Sequence, residues 1–459
     1  DERYPINAIN YLLENHNINP NDLDGVVFVS TMFGPAYVMT RKYTKFDIKD
    51  YIDEQHRIWK PKLFLGEEKS FIEEYINRVD FEQYPGEVFW KNVREKLIND
   101  SGHASSIKST VFGQEIRQDI VKKHLGINKE KVFFSDHSLS HACYAYYSTP
   151  ERYRKSKNLV ITLDAFGDNI NYSASIFKNN KNHISREIIS QGNDFIIGRL
   201  YRYITLLLGL KPDQHEYKVM GMAPYCKEKY YENLLSKFMQ MQVVNDINFE
   251  YINKPKDFYF TIKDMIEGER FDTICGAIQA YSEYLITTWV TNLIDKFKVD
   301  SVSLAGGVAM NVKANMLLAK LPQVKYLHVP PSPDDTSQAI GALFAHIHNN
   351  QSIKQDKIKS FQDPYIGRDE NISKSELKKY LEIYNVNSKL KIKKYNSKDI
   401  AKEIFKGNIV ATYFGKEEFG ARALGNRSIL ADPRSSKVKK KINEKIKNRD
   451  FWMPFACSI

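Results

Sequence analysis

The chain has 459 residues, 42% of them hydrophobic and 27% charged, with 67 Lys and Arg against 56 Asp and Glu for a net charge of +11. Such a length outgrows one small core and predicts two to three domains, and the composition is that of a soluble globular protein. The basic residues are interspersed with acidic ones and form no basic and aromatic stripe, so a nucleic-acid partner is not expected; no apolar run approaches the ~20 residues of a bilayer crossing, and four cysteines without a Cys-x-x-Cys pair argue against a structural zinc and for a reduced cytoplasmic protein.

Short β-branched or aromatic runs at 25–30, 131–134, 159–164, 301–304 and 325–329 are each closed by Gly, Ser, Asp or Pro. They alternate with amphipathic helical stretches, which predicts an α/β architecture. From 31 to 111 a charged, Tyr- and Phe-rich stretch has no clear period and is expected to be an insertion of helices and loops. Residues 273–297 carry Ile274, Ile278, Tyr281, Leu285, Trp289, Leu293 and Phe297 at helical spacing, the pattern of one long buried helix. The polar stretch 348–361 is the expected domain boundary. A second unit follows near Pro364, with a helix at 373–384, a strand at 409–414 and a basic helix at 437–447 whose Val438, Ile442 and Ile446 recur at a spacing of four.

His137 and His141 stand four apart directly after the second apolar run. If 137–147 is helical, both imidazoles lie on one face about one turn apart, as two nitrogen donors to one cation require. A chance pair on a solvated helix satisfies the same spacing. Asp164 closes the third run and offers a carboxylate; Asp335, in the loop Pro330-Pro331-Ser332-Pro333-Asp334-Asp335, is either a further ligand or a helix cap. Two histidines with carboxylates suit iron(II), manganese or zinc better than calcium.

Two turns could receive a nucleotide. In 164–168, Asp-Ala-Phe-Gly-Asp, Gly167 sits in what could be an amide-lined turn fit for phosphate. In 305–311, Ala-Gly-Gly-Val-Ala-Met-Asn, Gly306 and Gly307 allow close approach of a ligand and Asn311 offers both a donor and an acceptor; a tight turn needing glycine for its dihedral angles explains the same residues equally well. Glu216 and Lys218, beside Gly221, could fix an adenylate or be ordinary solvated surface, and His215 reads as a surface residue. In the second unit, 418–434 concentrates Arg422, Arg427 and Arg434 with Ser428, a dense anion-site signature in which the arginines bring bidentate forks and the serine a hydroxyl. Lys447 and Arg449 are the cations of the following basic run expected to join them; the other lysines there read as the wet face of a helix.

Taken in order, the stretch around His137 and His141, Leu-Asp164-Ala-Phe-Gly, Glu-Tyr-Lys-Val-Met-Gly-Met-Ala-Pro-Tyr, Ala-Gly-Gly-Val-Ala-Met-Asn, Pro-Pro-Ser-Pro-Asp-Asp335 and Phe-Gly-Ala-Arg422-Ala-Leu-Gly-Asn-Arg427-Ser resemble the O-carbamoyltransferase family that includes the nodulation, cephem and tobramycin carbamoyltransferases. The resemblance implies an actin and Hsp70-like (ASKHA) ATPase domain over 1–350, joined to a YrdC-like α/β domain over 362–459. It implies that the YrdC-like part makes carbamoyl adenylate from carbamoyl phosphate and ATP, and that the first domain moves the carbamoyl group to a hydroxyl of a small molecule or sugar. By the same resemblance His137, His141, Asp164 and Asp335 look like ligands of a divalent metal of the iron(II) type. Gly306, Gly307 and Asn311 look like adenylate contacts, and Arg422, Arg427, Ser428, Lys447 and Arg449 like the carbamoyl phosphate and ATP site.

The chain departs from that family at Ser138, where a further histidine is usual, and at Ala421 and Cys457, where proline is usual. The family also begins with a strand bearing a Gly-His-Asp motif, whose histidine is the expected catalytic base, and continues past Phe455. The chain is therefore expected to be a fragment, with that base upstream of Asp1. Two other functions remain open to the same motifs: a tRNA-modifying threonylcarbamoyl transferase, which would need a basic tRNA face, and a non-catalytic Hsp70-type nucleotide-binding module, which would need no metal at the histidines.

Overall fold

The computed structural model describes residues 4–32, 40–41, 44–78, 107–154, 157–180, 183–350, 358–361, 363–369, 373–383 and 396–456. Residues 33–39, 42–43 and 79–106 of the insertion expected at 31–111, the centre of the expected boundary at 351–357 and the departure at Cys457 lie outside them. The chain forms two compact units, Asp1–Phe361 and Gln362–Ile459.

The first unit is mixed α/β. Its main sheet has five strands: β3 (Lys157–Leu163), β4 (Tyr172–Asn180), β5 (His183–Gly192), β8 (Ser301–Ala305) and β9 (Tyr326–His328), in the spatial order β5-β4-β3-β8-β9. The half β3-β8-β9 is parallel and the half β5-β4-β3 antiparallel. A separate parallel pair joins β1 (Val26–Val29) to β2 (Val132–Ser135), and β6 (Gln242–Asn245) with β7 (Asn248–Tyr251) form a hairpin. β3 and β8 read Asn-Leu-Val-Ile-Thr-Leu and Ser-Val-Ser-Leu-Ala and are buried along their lengths apart from Lys157, as central strands covered on both faces must be. All five predicted strands of this unit are present, but β4 to β7 were not legible as strands. β4 and β5 are rich in Ser, Asn, Lys and Arg, so their period of two carries little hydrophobic contrast.

This topology places a crevice. From β3 the chain turns to β4 on one side, and from β8 it continues to β9 on the other, so the connections leaving two adjacent parallel strands run in opposite directions. Open sheets bind ligands at such switch points. Asp164 follows β3 there, and Gly306 and Gly307 follow β8.

The long helix Phe271–Phe297 is present as expected, and most of its side chains over 273–294 are buried. Trp289 is fully buried between Tyr172 and Phe249, and its indole Nε1 donates to Ile247 O at 2.8 Å; Tyr281 OH donates to Gln242 O at 2.7 Å. One helix thereby holds the β6-β7 hairpin by hydrogen bonds at the start of β6 and at its turn. The described part of the 31–111 stretch is helical at Ile48–Glu54 and Phe71–Tyr75, with wide helical turns at Gln55–Trp59 and Pro61–Leu65. Its Phe46, Tyr51, Ile58, Phe71, Ile72 and Tyr75 form a small core with Leu206 and Tyr259.

The second unit has an antiparallel pair, β10 (Val410–Ala411) with β11 (Ile429–Leu430), and helices at Lys374–Ile383, Ser397–Phe405 and Ser436–Lys441. The predicted strand at 409–414 is reduced to two residues. The predicted basic helix becomes a wide turn after Lys441, so Ile442 is buried while Ile446 is exposed. Among its described residues, few side chains are buried: Ile442, Asn443 and Met453.

Trp289→Ala should cost about 3–5 kcal/mol, measured by denaturant unfolding of the first unit, because it empties a closed aromatic site and frees the Ile247 carbonyl.

Candidate metal centre

The helix His137–Ser148 starts directly off β2. Asp136 caps it, its Oδ1 accepting from Leu139 N at 2.7 Å, and the helical spacing of four puts both imidazoles on one face. Asp164 leaves β3 with its Oδ1 accepting from Ala165 N at 2.7 Å, which turns Oδ2 toward the histidines. Asp335 arrives from the proline loop. The helix cap there is Asp334, which accepts from Thr336 N at 3.2 Å and from Ser332 Oγ at 2.8 Å, so the cap reading of Asp335 gives way and its carboxylate faces the imidazoles. Tyr144 OH donates to Pro331 O at 2.6 Å, Gln338 Nε2 donates to His137 O at 3.3 Å, and a Cβ on Gly341 would lie 2.5 Å from Ser140 O, so the histidine helix and this loop-helix segment are closely fitted.

The four side chains converge. His137 Nε2 lies 3.2 Å from Asp164 Oδ2 and 3.3 Å from Asp335 Oδ1; His141 Nε2 lies 3.1 Å and 3.2 Å from the same two atoms. One donor atom from each residue falls within 4.8 Å of all the others. Ligands about 2.0–2.2 Å from a common ion are separated by roughly 2.8–3.6 Å along the edges of an octahedron or tetrahedron, so the imidazole-carboxylate edges are already of coordination size. Two nitrogens and two oxygens fit a borderline divalent ion.

The electrostatics state the same requirement. Burial by itself pushes the His137 and His141 imidazoles down, but hydrogen bonds and charge from Asp164 and Asp335 outweigh it, and both stand above the ordinary histidine value. Burial pushes the Asp164 and Asp335 carboxyls up, and the histidines more than reverse this, so both are depressed. Two carboxylates at this separation need compensating positive charge, from protons on the histidines or from one divalent cation.

The other expected site residues are placed differently. Gly167 leaves room for His137: a Cβ there would lie 2.3 Å from the imidazole Cδ2. Gly306 has φ of +98°, its amide donates to Pro333 O at 2.7 Å, and a Cβ would stand 2.2 Å from Leu163 O; a Cβ on Gly307 would stand 3.3 Å from Asp164 Oδ1. These glycines let the turn after β8 close over the Asp164 loop. Asn311 is buried, accepts from Ala314 N at 3.1 Å, and exchanges hydrogen bonds of 3.0 and 3.1 Å with Gln279, so the expected pair of ligand contacts is engaged inside the fold. Lys218 is half-buried on the helix Glu216–Met222. Its neighbour Glu216 is no solvated surface group: burial pushes its carboxyl up to about 7, and it accepts from Asp213 N at 2.7 Å.

In the second unit Arg422 lines a cleft of about 250 Å³ with Glu417, Glu418, Gly420 and Arg427. Arg427 does not present an open fork. Its Nη1 donates to Phe414 O at 2.9 Å, its Nη2 to Gly415 O at 3.1 Å, and its guanidinium lies 3.8 Å from the Tyr413 ring centre. Ser428 Oγ accepts from Gly425 N at 2.9 Å. Lys447 is exposed, and Arg449 Nε donates to Asn443 Oδ1 at 2.8 Å while its guanidinium covers Phe455. The residue that sequence reasoning missed is Glu418. One of its oxygens accepts from Leu424 N, Asn426 N and Arg427 N at 2.8, 2.8 and 3.1 Å; desolvation raises its carboxyl, and the amides overcome this to hold it below the ordinary range. A glutamate followed at six to nine residues by a Leu-Gly-Asn-Arg turn is the only signal it left.

The protein is of mixed α/β class, with a four-residue donor cluster beside a sheet switch point and an arginine-bearing loop in a second unit. The family model of the carbamoyltransferase N-terminus matches residues 1–344 and that of the carbamoyltransferase C-terminus matches residues 401–459; the chain belongs to the carbamoyltransferase family. It is 31% identical over 457 residues to the uncharacterized protein MJ1058 of Methanocaldococcus jannaschii, covering 92% of this chain and 72% of that one. It is 27% identical over 351 residues to the uncharacterized protein sll1178 of Synechocystis sp., covering 72% and 55%, and 24% identical over 387 residues to nodulation protein NolNO of Sinorhizobium fredii, covering 82% and 54%. The chain thus spans about half the length of the last two. Among solved structures, the crystal structure of T. kodakarensis HypF aligns with 53% of this chain and 39% of its own at 15% identity and a TM-score of 0.27, too low to assign a shared fold. No helix among the described residues is long and apolar enough to cross a membrane.

The metal-free cluster has opposed pH limits. The histidines, raised in the native state, stabilise it fully below about pH 6.5 and lose that contribution as pH climbs through their elevated native values; the depressed carboxyls stabilise it above about pH 4 and lose it as pH falls through theirs. The cluster's own contribution is therefore greatest between roughly pH 4 and 6.5. A metal needs both imidazoles deprotonated, and both stand above the ordinary histidine value, so calorimetric titration of Mn(II) into metal-free protein should show affinity still rising above about pH 6.5, with proton release that shrinks only once pH passes the elevated histidine values. For the loop, Glu418→Ala should speed hydrogen exchange at the Leu424, Asn426 and Arg427 amides by about 10-fold, or ~1.4 kcal/mol, with no change in bound metal.

Proposed function

We propose that the chain carries ATP-dependent transfer of a carbamoyl group from carbamoyl phosphate, by way of carbamoyl adenylate, to a hydroxyl of a small molecule or sugar. The observation that carries this reading is the convergence of His137, His141, Asp164 and Asp335 in a member of the carbamoyltransferase family. The mixed sheet, with both candidate loops at its switch point, supports an actin and Hsp70-like ATPase domain over 1–350. The separate compact unit and its Arg422 loop support a YrdC-like adenylate-forming domain over 362–459.

The four side chains would hold a divalent ion, iron(II) foremost, with manganese or zinc as alternatives. When bound, such an ion supplies positive charge that polarises the carbamoyl carbonyl and lowers the pKa of the acceptor hydroxyl. The chain's own contributions are positional. The turn after β8, drawn against Asp164 by Gly306 and Gly307, shapes the wall of the crevice where the adenylate would sit. Lys218 is placed on a helix that also carries Glu216, whose carboxyl near pKa 7 is suited to holding a proton or a hydroxyl. In the second unit Arg422 would neutralise the phosphate, with Lys447 further along. Arg427 and Ser428 serve by holding the loop through their backbone partners, and Arg449 by tying Asn443 to the segment at Pro454 and Phe455, narrower roles than the resemblance implies.

The test is pyrophosphate release from ATP by full-length protein. It should depend on carbamoyl phosphate, and its absence would count decisively against the reading. Arg422→Ala should raise the KM for carbamoyl phosphate by about 10- to 100-fold, the loss of a charge-assisted contact. His141→Ala should lose bound metal and transfer to the acceptor while keeping pyrophosphate release.

A further inference from the structure

Asp168 is not among the residues assigned to metal, nucleotide or anion, yet its carboxylate accepts five hydrogen bonds. Its Oδ1 accepts from Ser30 Oγ at 2.6 Å and Met32 N at 3.0 Å; its Oδ2 accepts from Thr31 N at 2.8 Å, Thr31 Oγ1 at 3.1 Å and His137 N at 3.0 Å. Three backbone amides and two hydroxyls thus converge on one half-buried carboxylate. The turn at 164–168, expected to offer amides to a phosphate, here supplies the anion instead: the amides come from Thr31, Met32 and His137, and Asp168 is what they receive.

Three features tie this array to the metal centre. The last of those donors is the main-chain amide of a candidate ligand, at the first position of its helix, where Asp136 does not reach and where a carboxylate is favoured. The residue before Asp168 is Gly167, where any Cβ would strike the His137 ring, so the dipeptide abuts both the backbone and the imidazole of one ligand. The backbone itself is held out of its ordinary range: Ser30, Asp168 and Asn169 have φ of +69°, +41° and +65°, conformations that non-glycine residues keep only when surrounding bonds hold them. From the far side of the loop, Arg117 donates from Nη1 to Val29 O at 3.0 Å and Ser30 O at 2.8 Å, with its guanidinium 4.5 Å over the Phe134 ring.

We infer that Asp168 is a positioning residue. By clamping the turn after β1 to the start of the histidine helix, it fixes where His137 Nε2 stands relative to Asp164 and Asp335, and so sets the affinity and coordination geometry of the metal. The clamp also makes the position of the 30–32 turn and that of the histidine helix interdependent. This inference rests on the metal reading, and its experiment separates the two.

Full-chain protein freed of metal is titrated with Co(II), whose visible absorption reports the number and arrangement of its ligands. The wild type should bind one equivalent with a saturable visible spectrum. Asp168→Asn, which turns an amide NH2 toward donors that need an acceptor, should bind Co(II) about 10- to 100-fold more weakly, and its spectrum should differ in position or intensity even at saturation. A purely structural loss would lower the melting temperature but leave the saturated spectrum unchanged. If the wild type binds Co(II) and Asp168→Asn gives the wild-type affinity and spectrum, the inference is wrong while the metal reading stands. If the wild type takes up no Co(II), both fall. Should Asp168→Asn not fold, Ser30→Ala with Thr31→Val removes the two hydroxyl donors and leaves the carboxylate: a shifted saturated spectrum supports the clamp, and an unchanged one overturns it.

Discussion

Two carboxylates and two imidazoles share a volume in which no pair of donor atoms is more than 4.8 Å apart, and the fold around them is organised to tolerate that charge. The four groups reach the cluster from three places. The histidines come on a helix springing from β2, Asp164 from the end of β3, and Asp335 from a proline loop capped by its own neighbour. Such convergence is stable only with compensating positive charge, which makes the cluster a proton-binding site or a cation-binding site according to conditions. The elevated imidazoles and depressed carboxyls are the protonated face of that equilibrium.

The glycine-rich turns around the cluster serve the cluster's construction. Gly306 presses against Leu163 O, Gly307 stands beside Asp164, and Gly167 makes room for His137. Amides that might have met a phosphate are engaged with the protein: the Gly306 amide with Pro333 O, and those of Thr31, Met32 and His137 with Asp168. The same economy recurs in the second unit, where Glu418 takes three loop amides and Arg427 spends its guanidinium on backbone carbonyls, leaving Arg422 on the cleft wall. In both units a carboxylate of the chain gathers backbone amides beside the candidate site: Asp168 those of Thr31, Met32 and His137, and Glu418 those of Leu424, Asn426 and Arg427.

The sequence by itself determined the donor chemistry and the elements that bear it. The spacing of four at His137 and His141, the strand-terminal position of Asp164 and the period of the long helix at 271–297 are local properties, fixed by a few neighbouring residues, and all were legible. So was the family, because its motifs are short and ordered. The polar strands β4 and β5 were not legible, because their place in the sheet is set by β4 pairing with β3 and β5 with β4, and not by hydrophobic contrast of their own. Tertiary structure alone decided which polar groups remain free. Asn311, Arg427 and Ser428 looked available as residue types, and Asp168 and Glu418 looked ordinary. Their roles depend on hydrogen-bond partners as much as 138 residues away, between Ser30 and Asp168, and a donor already satisfied inside the fold cannot be told from a free one until the chain has brought its partner to it.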